Sequence, residues 1–267
     1  ELLKNGIQPM ATLYHWDLPQ ALQDRGGWDN RDTIGYFTDY ADTIFRSLGD
    51  RVSLWITHNE PFCTSMLGNY TGENAPGYND PALAVRVSHN LLLSHAETVA
   101  LYRQSNMKGK IGITLILYPV HPLTQIPGDI NAARRMDGVI NRWFLDPVLK
   151  RRYPEDILEI YESELNSPDI REGDMEKIAS NSIDFLGVNY YTRMVVKYSE
   201  NDPLLGYEEV IPEGAVRTGI GWEIYPEGLY EMLSRIHNEY GQPEIFITEN
   251  GAAYDDKIVS DASGGDG

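Results

Sequence analysis

Cysteine is almost missing from this chain. Cys63 is the single one in 267 residues, so no internal disulfide can form, and a cytoplasmic, reducing location is the expectation. Positive charge is scarce as well: 22 Lys and Arg stand against 40 Asp and Glu, a formal charge of −18. Such a surface repels phosphate backbones and anionic lipid, which argues against nucleic acid or a membrane as partner. Long apolar runs are absent too. The longest, Ile111–Val120, is broken by Gly112 and Thr114 and is too short to cross a bilayer. No basic, apolar leader opens the chain. There is no His-x-x-x-His pair to suggest a metal, and Gly219-Ile220-Gly221 lacks the third glycine and the preceding strand of a dinucleotide fingerprint. Neither a metal nor an organic cofactor is expected. Asn69-Tyr70-Thr71 fits a glycosylation sequon and is read as a chance match.

What is present is enough apolar material, 42% of residues, for one sizeable core. Within it, Leu54–Pro61 stands out: an apolar strand that runs into His58, Asn59 and Glu60 and is stopped by Pro61. Carboxylates are seldom buried without a purpose, so Glu60 is placed at the carboxyl end of a strand, where α/β proteins put their chemistry. Glu244–Gly251 repeats the design and ends in Thr248, Glu249, Asn250 and Gly251. Two strand-end glutamates are what cleavage of a glycosidic bond requires.

The rest of the chain alternates between strand and helix. Strands are predicted over Ile7–Tyr14, Val52–Thr57, Ile111–Tyr118, Ile183–Tyr190 and Ile245–Thr248. Between them, Phe37, Tyr40, Ile44 and Leu48 mark one helix, stopped by Gly49. Asp80-Pro81 caps a second helix, running to about Asn106. Asp129–Arg152, Met175–Ser180 and the stretch after Pro226 read as further helices, and Gly68–Asn79 and Glu200–Gly221 as loops. Trp28, Trp55 and Trp143 are assigned to the core, His89 and His95 to packing or surface, and Cys63 to packing. This rhythm implies a parallel sheet with right-handed crossovers. Polar ends on every strand suit a (β/α)8 barrel better than a doubly wound sheet. Only five strands are found, so the barrel is incomplete. Glu1–Gly6 reads as the last turn of a helix, and coding sequence upstream is the expectation. Residues 1–257 are expected to be one catalytic domain and 258–267 a flexible tail rich in Gly, Asp and Ser.

Five motifs then make the chain recognisable. Thr12–Gln20, Trp55–Pro61, Gly187–Thr192, Gly221–Gly228 and Ile247–Gly251 resemble glycoside hydrolase family 1, the β-glucosidase family, in the family's order. The resemblance implies that the five strands are the third to seventh of the barrel. The first two βα units and the last would then be missing, so the chain looks like a fragment. It implies Glu60 as acid/base and Glu249 as nucleophile, with His15, Trp16, Asn59, Asn189, Tyr191 and Trp222 binding substrate. The expected activity is retaining hydrolysis of terminal β-D-glucosyl residues from small β-glucosides or cello-oligosaccharides. The alternatives are a 6-phospho-β-glucosidase or a β-galactosidase of the same family, or a truncated, inactive carbohydrate-binding chain. Trp16 favours an unphosphorylated sugar, since phospho-sugar members often carry Phe there. The aglycone and the oligomeric state are not legible in the sequence.

Two physical expectations follow. Mutual repulsion should raise the pKa of Glu60, and Tyr191 should steady Glu249. Five strands cannot close a barrel, so the outer strands would be open edges, and Ile56, Ile113 and Val188 would lose their covering layer and face water.

Overall fold

The computed structural model describes residues 1–257, and the proposed tail at 258–267 lies outside the described residues. The chain enters through one short 3-10 turn, Leu3–Asn5, closed by Gly6 in the left-handed region at φ 72°. The elements that follow are β1 (Met10–Tyr14), α1 (Gln20–Gln23), α2 (Asp32–Leu48), β2 (Leu54–Asn59) and α3 (Pro81–Gln104). Then come β3 (Lys110–Ile116), β4 (Val120–Pro122), α4 (Pro127–Asp137), α5 (Trp143–Leu145), α6 (Glu155–Leu165) and α7 (Asp174–Ser180). The chain closes with β5 (Phe185–Tyr190), β6 (Met194–Tyr198), β7 (Tyr207–Glu209), α8 (Glu227–Glu239) and β8 (Ile245–Asn250).

Five of the strands form one parallel sheet in the order β1-β2-β3-β5-β8, each beside the next in sequence apart from the short excursions. That is a wall of an incomplete (β/α)8 barrel, with helices on its outer face. The predicted capping of α3 is seen: Asp80 accepts from the Leu83 N–H at 2.9 Å, with Pro81 behind it. This helix is buried nearly all round, because α2 and the sheet pack against one side and α7 and the π-helical turn Cys63–Thr71 against others.

Several local expectations change. The buried stripe of α2 is Ile34, Phe37, Ala41 and Phe45, while Tyr40 is 46% exposed, so the face is turned by one position from Phe37/Tyr40/Ile44/Leu48. The predicted loop at Gly68–Asn79 begins inside the π-helical turn. Helix α6 was not foreseen; nor was the second sheet, β4-β6-β7, whose last strand lies within Glu200–Gly221. Trp28, Trp55 and Trp143 are buried as expected.

The expectation for Ile56, Ile113 and Val188 is overturned, since all three are at most 4% exposed. Side chains alternate along a strand. Ile113, Leu115, Leu186 and Val188 point into the helix layer, where they join Leu92, Val139, Trp143 and Ile157 in one core cluster. On the opposite, inward face of β3 and β5, Gly112, Thr114 and Gly187 stand beside the large, fully buried Phe185. A Cβ on Gly187 would collide with Thr114, so the strands approach where a larger residue could not fit. Exposure falls on the outermost strands instead: Thr12 on β1 and Ile247 on β8 are open to solvent.

Candidate active site

The carboxyl ends of β1, β2, β5 and β8 meet at one rim, and Glu60 arrives there through a break in the strand pattern. Register between β2 and β3 shifts between Ile56 and Asn59. Thr57 and His58 consequently both face α3: Thr57 Oγ1 meets His95 Nδ1 at 2.7 Å, and His58 Nε2 meets Ser94 Oγ at 2.8 Å. Two successive residues on one face is the signature of a bulge. It turns Asn59 and Glu60 to the other side. Burial holds both His58 and His95 neutral, the latter with its pKa lowered to about 3.

Two non-glycine residues at this rim adopt the left-handed region, Trp16 at φ 73° and Glu60 at φ 47°. Such conformations cost energy and persist only where neighbours enforce them. Here Glu60 N–H donates to the Thr114 carbonyl at 2.9 Å, and Trp16 Nε1–H donates to the Asn59 carbonyl at 3.0 Å.

Asn189 is the hub. Its Nδ2 donates to Glu60 Oε1 at 2.6 Å and to Asn59 Oδ1 at 3.1 Å, while its Oδ1 accepts from Thr248 Oγ1 at 2.6 Å. Asn59 Nδ2 in turn lies 3.1 Å from His15 Nε2. Asn189 and Glu249 are register partners on β5 and β8, just after a register shift that parallels the one on β2. Tyr191 Oη donates to Glu249 Oε2 at 2.6 Å, and its ring lies 5.4 Å from that of Trp222.

Glu60 is 3% exposed and its pKa is raised. Burial is the main cause; the Glu249 charge adds to it, and the hydrogen bonds from Asn189 and Cys63 oppose it. The expected repulsion is therefore real but secondary. Cys63 is buried, as a packing residue would be, and its sulfur also sits 3.3 Å from Glu60 Oε2.

Every residue expected at the site from the sequence therefore lies on this one rim, with unequal depth. Glu60, Asn59 and Asn189 are buried, Tyr191 and Glu249 are half-buried, and His15, Trp16 and Trp222 are exposed. Thr248 and Cys63 were missed as contacts of the network. Thr248 stands inside a quoted motif, but nothing in its spacing says which neighbour its hydroxyl meets. His89 is a core residue, bonded to Tyr153 at 2.8 Å and Asp174 at 3.1 Å.

Behind Trp222 a cavity of about 440 Å³ is lined by Thr192, Arg193, Val210, Ile220 and Glu223. Arg193 grips Glu223 through two bonds of 2.8 Å and reaches His121 at 3.1 Å, which fixes the segment carrying Trp222 against the β5–β6 link. Among the described residues no cluster of His, Cys, Asp and Glu could hold a metal ion, and no helix is long and apolar enough to cross a membrane.

A parallel barrel wall with two glutamates at the carboxyl ends of its strands is the layout of a barrel enzyme working by paired carboxylates. The comparisons with known proteins say which: residues 1–265 match the model of Glycosyl hydrolase family 1, and the chain belongs to that family. It is 48% identical over 261 residues to Beta-glucosidase A of Acetivibrio thermocellus, covering 97% of this chain and 58% of that protein. It is 38% identical to a 6-phospho-beta-glucosidase of Bacillus subtilis, covering 94% of this chain and 56% of that protein. The crystal structure of the AHE enzyme from Alicyclobacillus herbarius superposes with a TM-score of 0.93 at 44% identity, over 98% of this chain and 59% of that one. The chain thus spans a little under three-fifths of the length of these relatives.

Proposed function

We propose that the site belongs to a retaining β-glycosidase that hydrolyses terminal β-D-glucosyl residues of small β-glucosides and cello-oligosaccharides. The observation that carries this reading is the unequal pair at one rim. Glu60 is buried, bonded and raised in pKa, as a proton donor must be. Glu249 is more open and held by one phenol, as a nucleophile needs to be. Glu249 attacks the anomeric carbon while Glu60 gives its proton to the departing oxygen. Glu60 then takes a proton from water as that water releases the sugar from Glu249. His15 and Asn59 bind sugar hydroxyls, with Asn189 holding Asn59 and Glu60 in place. Trp16 walls the sugar, and Trp222 stacks the leaving group. Neither step uses a metal or an organic cofactor.

A phosphorylated sugar is the second reading, favoured by the name of the Bacillus subtilis relative. Trp16 speaks for the unphosphorylated one. Residues 1–257 act as part of one catalytic domain, and the lone Cys63 supports a reducing, cytoplasmic setting. The test is hydrolysis of an aryl β-glucoside, its 6-phosphate and an aryl β-galactoside, in the chain itself and in a form extended by the barrel units its relatives carry. Fastest cleavage of the plain glucoside, with the β-configured product released first, is expected. Release of the α-anomer would overturn the retaining mechanism, and preference for the phosphate would favour the second reading.

A further inference from the structure

We infer that Cys63 is a positioning residue for Glu60, keeping Oε2 as the oxygen that carries and delivers the proton while Oε1 stays an acceptor. This deepens the role proposed for Glu60 and rests on that reading.

The two oxygens of Glu60 meet different donors. Oε1 accepts from Asn189 Nδ2 at 2.6 Å, and the amide is locked in that sense because its own oxygen accepts from Thr248. An amide N–H cannot accept, so the lone pair of Oε1 that faces it is closed to a proton. Oε2 faces the Cys63 sulfur at 3.3 Å. A thiol is a weak donor and a weak acceptor. It can donate to the carboxylate and then receive from the carboxylic acid, so it costs Glu60 little in either state. A hydroxyl or amide in its place would favour the ionised form more strongly.

The backbone builds this contact. The Glu60 carbonyl accepts from the Cys63 N–H at 2.9 Å, which folds the first turn after the strand so that the sulfur returns over the carboxyl group. Both residues are at most 4% exposed. Burial, then the Glu60 charge, push the Cys63 thiol well above its ordinary range, so it remains S–H and adds no charge beside Glu60. The other titratable groups that act on Glu60 or Cys63 are His15, Glu249, Glu73 and the Tyr118 hydroxyl, and none of them bonds Oε2. In the reaction the Oε2–H bond breaks as the glycosidic oxygen takes the proton and the electron pair of its bond to the anomeric carbon. In the second step Oε2 takes a proton from the attacking water. Cys63 undergoes no covalent change.

The chain has one cysteine, so its S–H stretch gives a single Raman band. That band is expected at low wavenumber while Glu60 is ionised and to step upward as pH falls through the titration of Glu60, with no step in Glu60→Gln. A band that ignores pH in the native chain would overturn the inference. The second measurement is the Glu60 titration itself, followed by 13C-labelled glutamate side chains and assigned by the signal lost in Glu60→Gln. Cys63→Ala should raise that pKa by about half a unit, and Cys63→Ser, which keeps a donor, should return it to the native value or below. A purely structural cysteine would change the melting temperature of both variants without ordering the pKa values in this way. Neither measurement depends on turnover. A failed glycoside assay beside an intact S–H step would fault the functional reading and not the Cys63–Glu60 coupling.

Discussion

Glu60 and Glu249 close two nearly identical sequence motifs, an apolar strand running into polar residues, yet their surroundings differ. Glu60 follows β2, which has β1 on one side and β3 on the other. Glu249 lies on β8, which among the described residues pairs only with β5. The inner strand gives its glutamate burial and a donor for each oxygen. The outer strand leaves its glutamate half-open with one phenol as partner. The same local pattern thus yields a buried carboxyl group with a raised pKa in one place and a half-open one in the other, because desolvation is set by what covers a strand and not by the strand's own residues.

The sharpest way to break this comparison is to remove each carboxylate in a chain extended by the remaining barrel units. Glu249→Gly should cut hydrolysis by on the order of 10³-fold or more, with recovery by azide, which fits the vacated space. Glu60→Ala should cost on the order of 10²-fold or more on poor leaving groups and far less on good ones, read from kcat/KM across a series of aryl glucosides. Equal losses across that series would remove the acid role from Glu60.

The open strands are the next point of leverage. Among the described residues, β1 and β8 each leave one edge without a neighbour in this sheet, a template for strand addition. The 267-residue chain is therefore expected to self-associate and to turn over an aryl glucoside much more slowly than the extended form. A monodisperse monomer in analytical ultracentrifugation, with turnover equal to the extended form, would contradict this.

Stability should follow the same division. Ile113 is fully buried among helices and Ile247 is 43% exposed. Ile113→Ala is expected to cost about 3 kcal/mol and Ile247→Ala less than about 1 kcal/mol, from chemical denaturation. Comparable losses would mean that β8 is covered in solution.

The smallest effect is on the pH dependence of stability. Because the folded-state pKa of Glu60 is raised, the native chain binds its proton more tightly than the unfolded chain does. Its contribution is thus most favourable at acid pH and is lost as pH rises from the ordinary glutamate value, about 4.3, through the folded one. Glu60→Gln should flatten that decline in melting temperature above about pH 4.5.

The sequence by itself determined the five strands of the parallel sheet, the capping of α3, the family and the strand-end position of the two glutamates, since each depends on patterns within a few residues or on whole motifs. Alternation of side chains, a proline stop and an Asp-Pro cap are local physics, and they persisted in the structure. Tertiary structure decided which face each strand turns inward. The choice of Ile113 and Val188 as barrel-lining residues failed there, because an apolar run reads the same from both sides until helices pack on one of them. It also decided the phase break that sends His58 into the core and Asn59 and Glu60 to the rim. A bulge is defined by the neighbouring strand, and β3 is some 50 residues downstream of β2. The pairings of Asn189 with Glu60 and of Thr248 with Asn189 belong to the same class, for these hydrogen bonds depend on distances between strands that no single stretch of chain contains.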